Sequence, residues 1–125
     1  MTRFLLDTSI ILAILDGTAK GQVAKQLIQN SELITSIVCY CEVLNKASLN
    51  KIVVAERFLS NLSIFPLTLA DGELAKEFQY SCRKSGKFVS TLDCLIAATA
   101  SNNNATVITT DSDFGRIDGV KKEIF

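Results

Sequence analysis

Short apolar runs alternate with amphipathic stretches along the chain, and each predicts an element. Phe4-Leu5-Leu6 stops at Asp7 and reads as a buried strand. Ile10 to Leu15 follows, too continuous for its period to decide between strand and helix. Lys20 to Asn30 predicts a helix with Val23, Leu27 and Ile28 on one face, and Leu33 to Thr35 a second strand. Ser36 is placed to cap a helix running through Cys41, Leu44 and Leu49. Ala55, Phe58, Leu59 and Leu62 keep helical spacing within Val54 to Leu62. Ile64 to Leu67 reads as a strand that Pro66, the single proline, confines to an edge or a strand end. Asp71 is expected to cap a helix carrying Leu74, Phe78 and Cys82, which ends near Gly86. Ser90 opens another, with Leu92, Leu95, Ile96 and Thr99 inward. Thr106 to Thr110 is the clearest strand, β-branched throughout, and a last short one fits Gly119 to Phe125. Strands alternating with helices predict an α/β fold with a mostly parallel sheet and right-handed crossovers.

Composition narrows the picture. A chain of 125 residues fits a single domain. It buries about two thirds of its unfolded surface, enough for a core without staples. With 48% hydrophobic and 21% charged residues it is not a disordered sequence. Lys and Arg number 13, as do Asp and Glu, so the net charge is zero and no overall basic footprint marks nucleic-acid binding. Histidine is absent, which removes Ser-His-Asp triads, Cys-His pairs and His-ligated zinc. Cys39, Cys41, Cys82 and Cys94 include no pair with a two-residue gap. They read as small buried hydrophobes in a reducing cytoplasm. The one leader-like run, Phe4 to Leu15, is interrupted by Asp7 and closed by Asp16, and it is too short to span a bilayer. No glycine-rich phosphate loop follows any strand.

Without histidine, chemistry must run on carboxylates, Lys, Tyr, Cys or a metal, and the carboxylates are the most suggestively placed. Ligands of open α/β sheets bind outside the carboxyl ends of the strands. Asp7 and Asp111 stand at such ends, with Asp113 two residues further on. Glu42 and Asp93 lie early in their helices among apolar neighbours, where a carboxylate needs a partner. Each has a structural alternative. Asp7 could serve as a helix cap or Asx turn, Glu42 could pair with Lys46, Ser90 to Asp93 has capping-box spacing, and Asp111 to Asp113 could form a turn. Asp16, Asp71 and Asp118 sit beside glycine and read as turn or capping residues. Carboxylates converging at one sheet edge would repel one another unless protonated or bridged by a hard cation. Mg²⁺ and Mn²⁺ accept carboxylate oxygens and water and need no histidine.

Four segments carry a resemblance: Leu5-Leu6-Asp7-Thr8-Ser9-Ile10-Ile11, Ser36 to Leu44 around Glu42, Thr91 to Ala100 around Asp93, and Val107 to Phe114 with Ile117-Asp118-Gly119. In this order and spacing the chain, 1–125, resembles a single PIN-like domain, most closely the VapC-like toxins of toxin–antitoxin pairs. The resemblance implies a three-layer α/β/α domain and Mg²⁺- or Mn²⁺-dependent endonuclease cleavage of RNA. Asp7, Glu42, Asp93 and Asp111 match the acidic quartet, and Thr8 and Ser9 the hydroxyl positions that support it. Asp113 is a further acid at the same motif, and either it or Asp111 is the nearer metal ligand. In this reading Asp7 and Asp93 hold the principal ion, with Asp111 in its shell, while Glu42 ligates or positions the attacking water or helps hold a second ion. Cleavage then leaves 5′-phosphate and 3′-hydroxyl ends.

Arg83, Lys84 and Lys87 form the only compact basic group and lead toward Asp93, so they are the expected RNA contacts. The same cations also suit a helix C-terminus. Aromatic residues make up 7% with no Trp, which argues against an extended stacking platform and for a short, single-stranded target. The apolar stripes of residues 20–30 and 51–62 serve either the core or an interface. The family resemblance implies a homodimer and a small antitoxin protein. The alternative reading is a catalytically weak PIN-fold module for protein or RNA binding. Loss of a quartet acid would favour it, and all four positions are acidic here.

Overall fold

The computed structural model describes residues 2–125. β1 (Arg3–Leu6) leads through α1 (Thr8–Asp16) and α2 (Ala19–Leu27) to β2 (Glu32–Ser36). α3 (Ile37–Lys46), a 3₁₀ turn and α4 (Ile52–Leu59) reach β3 (Ser63–Phe65). α5 (Leu69–Lys84) and α6 (Thr91–Asn102) return to β4 (Thr106–Thr109), and a second 3₁₀ turn, Ser112–Arg116, precedes β5 (Lys122–Ile124). The sheet runs β3-β2-β1-β4-β5, and every pairing is parallel. β3 is an edge strand with Pro66 just past its end, as the missing donor of proline requires.

Side chains alternate across the sheet with period two and divide the core. Leu5, Ile34 and Val107 face α5 and α6, packing with Cys82, Ile96, Ala97 and Phe114. Phe4, Leu6 and Ile108 face the other way, onto Ile10, Ile11, Val43 and Leu59 of α1, α3 and α4. Helices thus cover both faces, and the arrangement is three-layered α/β/α.

Local expectations hold with identifiable exceptions. Ile10 to Leu15 is helical. α1 packs against α2 and α3 as well as the sheet, which removes the one-sided periodicity. In α2 the buried residues are Gly21 and Ala24, with Ile28 just beyond the helix, whereas Val23 and Leu27 are exposed. The predicted inner face is therefore wrong for two of its three members. A Cβ at Gly21 would overlap the Ala13 carbonyl, so α2 approaches α1 too closely for large side chains between them. α5 starts earlier than expected, at Leu69 with Thr68 as its cap, and Asp71 lies one turn inside. Ser36 does cap α3, its hydroxyl accepting from the Cys39 N–H at 3.1 Å. All four cysteines are free. Three are buried, but Cys41 is exposed, against expectation, because it lies on the outer side of α3. No helix among the described residues is long and apolar enough to cross a membrane.

Candidate active site

In this strand order the chain leaves β1 toward β2 on one side and returns through β4 on the other. Outgoing connections diverge between β1 and β4, which opens a crevice at the carboxyl ends of these two strands. Asp7 follows β1 directly, and Asp111 follows β4 after Thr110. β2 ends at Ser36, so α3 starts at the same edge and brings Glu42 to it. α6 brings Asp93 in its first turn. Asp7, Thr8, Ser9, Leu12, Glu42, Lys46, Asp93 and Asp111 line one cleft of about 250 Å³.

Asp7 occupies the cap position of α1 with extended backbone, yet its side chain makes no capping bond. The carboxylate turns instead into the sheet edge. Its Oδ2 accepts from Thr109 Oγ1 at 2.7 Å and Ser9 Oγ at 3.0 Å, while the Cys39 thiol lies 3.7 Å from Oδ1. The residue is only 5% exposed. Burial raises its pKa above the usual aspartate value, the Thr109 and Ser9 hydroxyls oppose the rise, and Glu42 adds to it. Burial likewise pushes the Cys39 thiol up to about 11, so at neutral pH it stays a weak donor toward Asp7.

Asp93 lies deeper in charge repulsion. Its pKa is pushed up to about 6, first by burial, then by Asp111 and Asp7, with the Ser90 side chain opposing and Asp113 adding to the rise. One oxygen from each of Asp93, Asp111 and Asp113 lies within 4.8 Å of the others. Asp111 Oδ1 accepts from the Asp113 N–H at 2.9 Å, an Asx-type turn that fixes the pair, and Asp113 also reaches Arg116 at 3.6 Å. Glu42 is held through Oε1 by the Thr8 hydroxyl at 2.8 Å, and Lys46 approaches its Oε2 at 3.9 Å.

This donor set fits a hard divalent cation. Oxygens in an octahedral Mg²⁺ shell of about 2.1 Å radius lie at most about 4.2 Å apart. The three aspartate oxygens are within a small side-chain adjustment of that span. The set offers only oxygen, the ligand preferred by Mg²⁺ and Mn²⁺, and a cation would offset the mutual repulsion recorded in the Asp93 pKa.

The fold brings together the four acids singled out in the sequence, with Thr8 and Ser9 between them. Asp113 joins Asp93 and Asp111 but does not line the same cleft. Arg83, Lys84 and Lys87 are exposed at the end of α5 and beyond it, outside the cleft. Arg83 and Lys87 border a separate hollow with Phe88. Sequence reading missed Thr109, whose hydroxyl donates to Asp7 and accepts from the Asp111 N–H at 2.9 Å. In a β-branched run its hydroxyl gave no signal; the only cue was its place two residues before an acid. Lys46 was seen only as a surface partner, although it lines the cleft.

A parallel sheet with a carboxylate-lined crevice at its switch point defines an α/β fold with a candidate cation site, and the sequence narrows it. The chain belongs to the PIN-domain family, whose sequence model matches residues 4–120. Among solved structures it is similar to VapBC2 from Rickettsia felis, determined on a DNA fragment from its promoter, with TM-score 0.82, 21% identity, and 99% of both chains covered. It is also similar to VapBC-5 from Mycobacterium tuberculosis, with TM-score 0.72 and 26% identity over 100% of this chain and 98% of that one. A third is VapC20 from Mycobacterium tuberculosis, described as a sarcin–ricin loop cleaving toxin, with TM-score 0.71 and 20% identity over 94% and 95% of the two chains. No curated protein matches the chain significantly.

Proposed function

We propose that this protein is a Mg²⁺- or Mn²⁺-dependent endoribonuclease acting in the cytoplasm as the toxin of a toxin–antitoxin pair. The observation that carries the reading is the convergence of Asp7, Glu42, Asp93 and Asp111 in one cleft at the switch point of the sheet. Asp7, Asp93 and Asp111 would hold the ion, with Asp113 as an additional ligand beside Asp93 and Asp111. When bound, such an ion supplies charge stabilisation to phosphoryl oxygens and lowers the pKa of a water. Glu42, fixed by Thr8 through one oxygen and approached by Lys46 at the other, would be placed to orient an attacking water and accept its proton. Thr109 and Ser9 hold Asp7 in one orientation. Lys46 at the cleft wall offers a positive charge to the phosphodiester. Arg83, Lys84 and Lys87 would hold the RNA strand outside the cleft. The absence of histidine supports water as nucleophile over the 2′,3′-cyclic route.

Partners follow from the same reading. Several structural neighbours were solved as VapBC complexes, which supports a small antitoxin protein here. A groove lined by Leu12, Leu15, Lys46, Lys51 and Val54 adjoins the cleft, sharing Leu12 and Lys46, and would let such a protein reach the acids. Exposed Val23 and Leu27 on α2, and Val53 and Val54 on α4, supply apolar surface for a homodimer.

The test is cleavage of a labelled RNA by purified protein in Mg²⁺ or Mn²⁺ against EDTA, with mapping of the ends. Metal-dependent cutting that leaves 5′-phosphates is the expected result. Cutting that persists in EDTA, or leaves cyclic phosphates, overturns the mechanism.

A further inference from the structure

We propose that Phe88 is a stacking site for one unpaired nucleobase of the RNA, with Arg83, Lys87 and Arg116 around it to hold the adjoining phosphates. This deepens the nuclease reading and rests on it.

Phe88 is 78% exposed, in the link between α5 and α6. A single exposed apolar residue is ordinary, but three features separate this one. The first is that its outward position is fixed. Val89 beside it is buried in the core, and the Arg116 guanidinium donates to the Phe88 carbonyl at 2.9 Å. The ring is therefore presented on a pinned backbone. The second is charge. Arg83, Lys87 and Phe88 line a shallow hollow of about 170 Å³, floored by Cys82 and Val89. Among the described residues neither Arg83, Lys84 nor Lys87 makes an ion pair. In a chain of zero net charge, free cations around an exposed ring suit a polyanion with planar bases, and not an apolar protein face.

The third feature is continuity with the acidic cluster. Arg116 Nη1 donates to the Phe88 carbonyl and also lies 3.6 Å from the Asp113 carboxylate, and one oxygen of Asp113 stands within 4.8 Å of oxygens of Asp93 and Asp111. Phe88 also lies five residues before Asp93, across the cap of α6. A strand whose base rests on Phe88 would pass Arg116 on its way to the carboxylates. Stacking tolerates any base because every base has a π-face. The site would thus set the strand's path and favour unpaired RNA over duplex.

The chain has no tryptophan, so Phe88→Trp creates a single fluorescent reporter in the full-length protein. The probes are single-stranded decaadenylate and an abasic phosphodiester of the same length, both in EDTA so that cleavage does not interfere. Saturable quenching by decaadenylate, absent with the abasic strand, is expected. Phe88→Ala should weaken decaadenylate binding roughly five- to a hundred-fold, the effect of losing one base–aromatic stack, and leave abasic binding unchanged. Equal quenching by both strands, no binding of either by the wild type, or unchanged affinity in Phe88→Ala would overturn the proposal. So would a Phe88→Ala variant whose only change is a smaller oligomer in light scattering, since the ring would then serve a protein interface. Base-dependent binding by a protein that never cuts RNA would instead count against the nuclease reading alone.

Discussion

Thr68-x-x-Asp71 and Ser90-x-x-Asp93 share one spacing and reach opposite states. At Asp71 the capping box closes: its N–H donates to Thr68 Oγ1 at 3.1 Å, and the Thr68 N–H donates to its Oδ2 at 3.2 Å. Thr99 and Asn102 of α6 add bonds at 2.9 and 2.8 Å, and the residue is only 2% exposed. At Asp93 only the Ser90 half of the box forms, which leaves the carboxylate to the acidic cluster. Asp71→Ala should lower stability by about 2–4 kcal/mol in urea unfolding, since it strands buried donors of α6. Asp93→Asn should do the reverse in metal-free protein at pH 7, raising Tm by roughly 4 °C for each kcal/mol of repulsion removed. A lower Tm would mean that Asp93 supports the fold. The spacing alone could mark both aspartates as capping residues. It could not separate them, because the difference lies in Thr99 and Asn102, about thirty residues away on a packed neighbour.

At the scale of elements, periodicity located nearly every helix and strand but misjudged what α2 buries. Val23 and Leu27 form the obvious stripe, yet the residues buried are Gly21 and Ala24, and Gly21 lies directly against the Ala13 backbone of α1. Close helix approach selects for small residues, and hydrophobicity patterns do not register them. Gly21→Ala should therefore destabilise the protein by about 1–3 kcal/mol in thermal unfolding, through overlap with the Ala13 carbonyl. A neutral effect would show that α2 shifts freely. The same scale explains why the acids were legible. Strand ends are readable from Leu6-Asp7 and from Thr109 to Asp111, and the parallel order then fixes which edge they share. Thr109 was not legible, since its role depends on β4 lying beside β1.

For the whole molecule, the raised pKa values of Asp7 and Asp93 predict how stability varies with pH. A carboxyl with a folded pKa above its unfolded value binds more protons folded than unfolded between the two. Its contribution is favourable below the unfolded value and is lost as pH rises through the folded one. For Asp93 that window runs from the ordinary aspartate value of 3.8 to about 6. Metal-free protein should thus lose stability across this range, as measured by urea midpoints at stepped pH. Mn²⁺ at pH 7 should restore it in the wild type by binding only the folded state, and restore little in Asp93→Asn. A midpoint that climbs steadily from pH 4 to 7 without metal would contradict the electrostatic picture of the cleft.

The most direct measurement is the rate of RNA cleavage in Mn²⁺ by wild type and by Asp93→Asn purified in parallel, with matched folding checked by circular dichroism. The expected result is a loss of about 10³-fold or more in the variant, comparable to removing a key charge-stabilising group. Undiminished cleavage by folded Asp93→Asn would contradict the assignment of the carboxylate cleft as the hydrolytic centre.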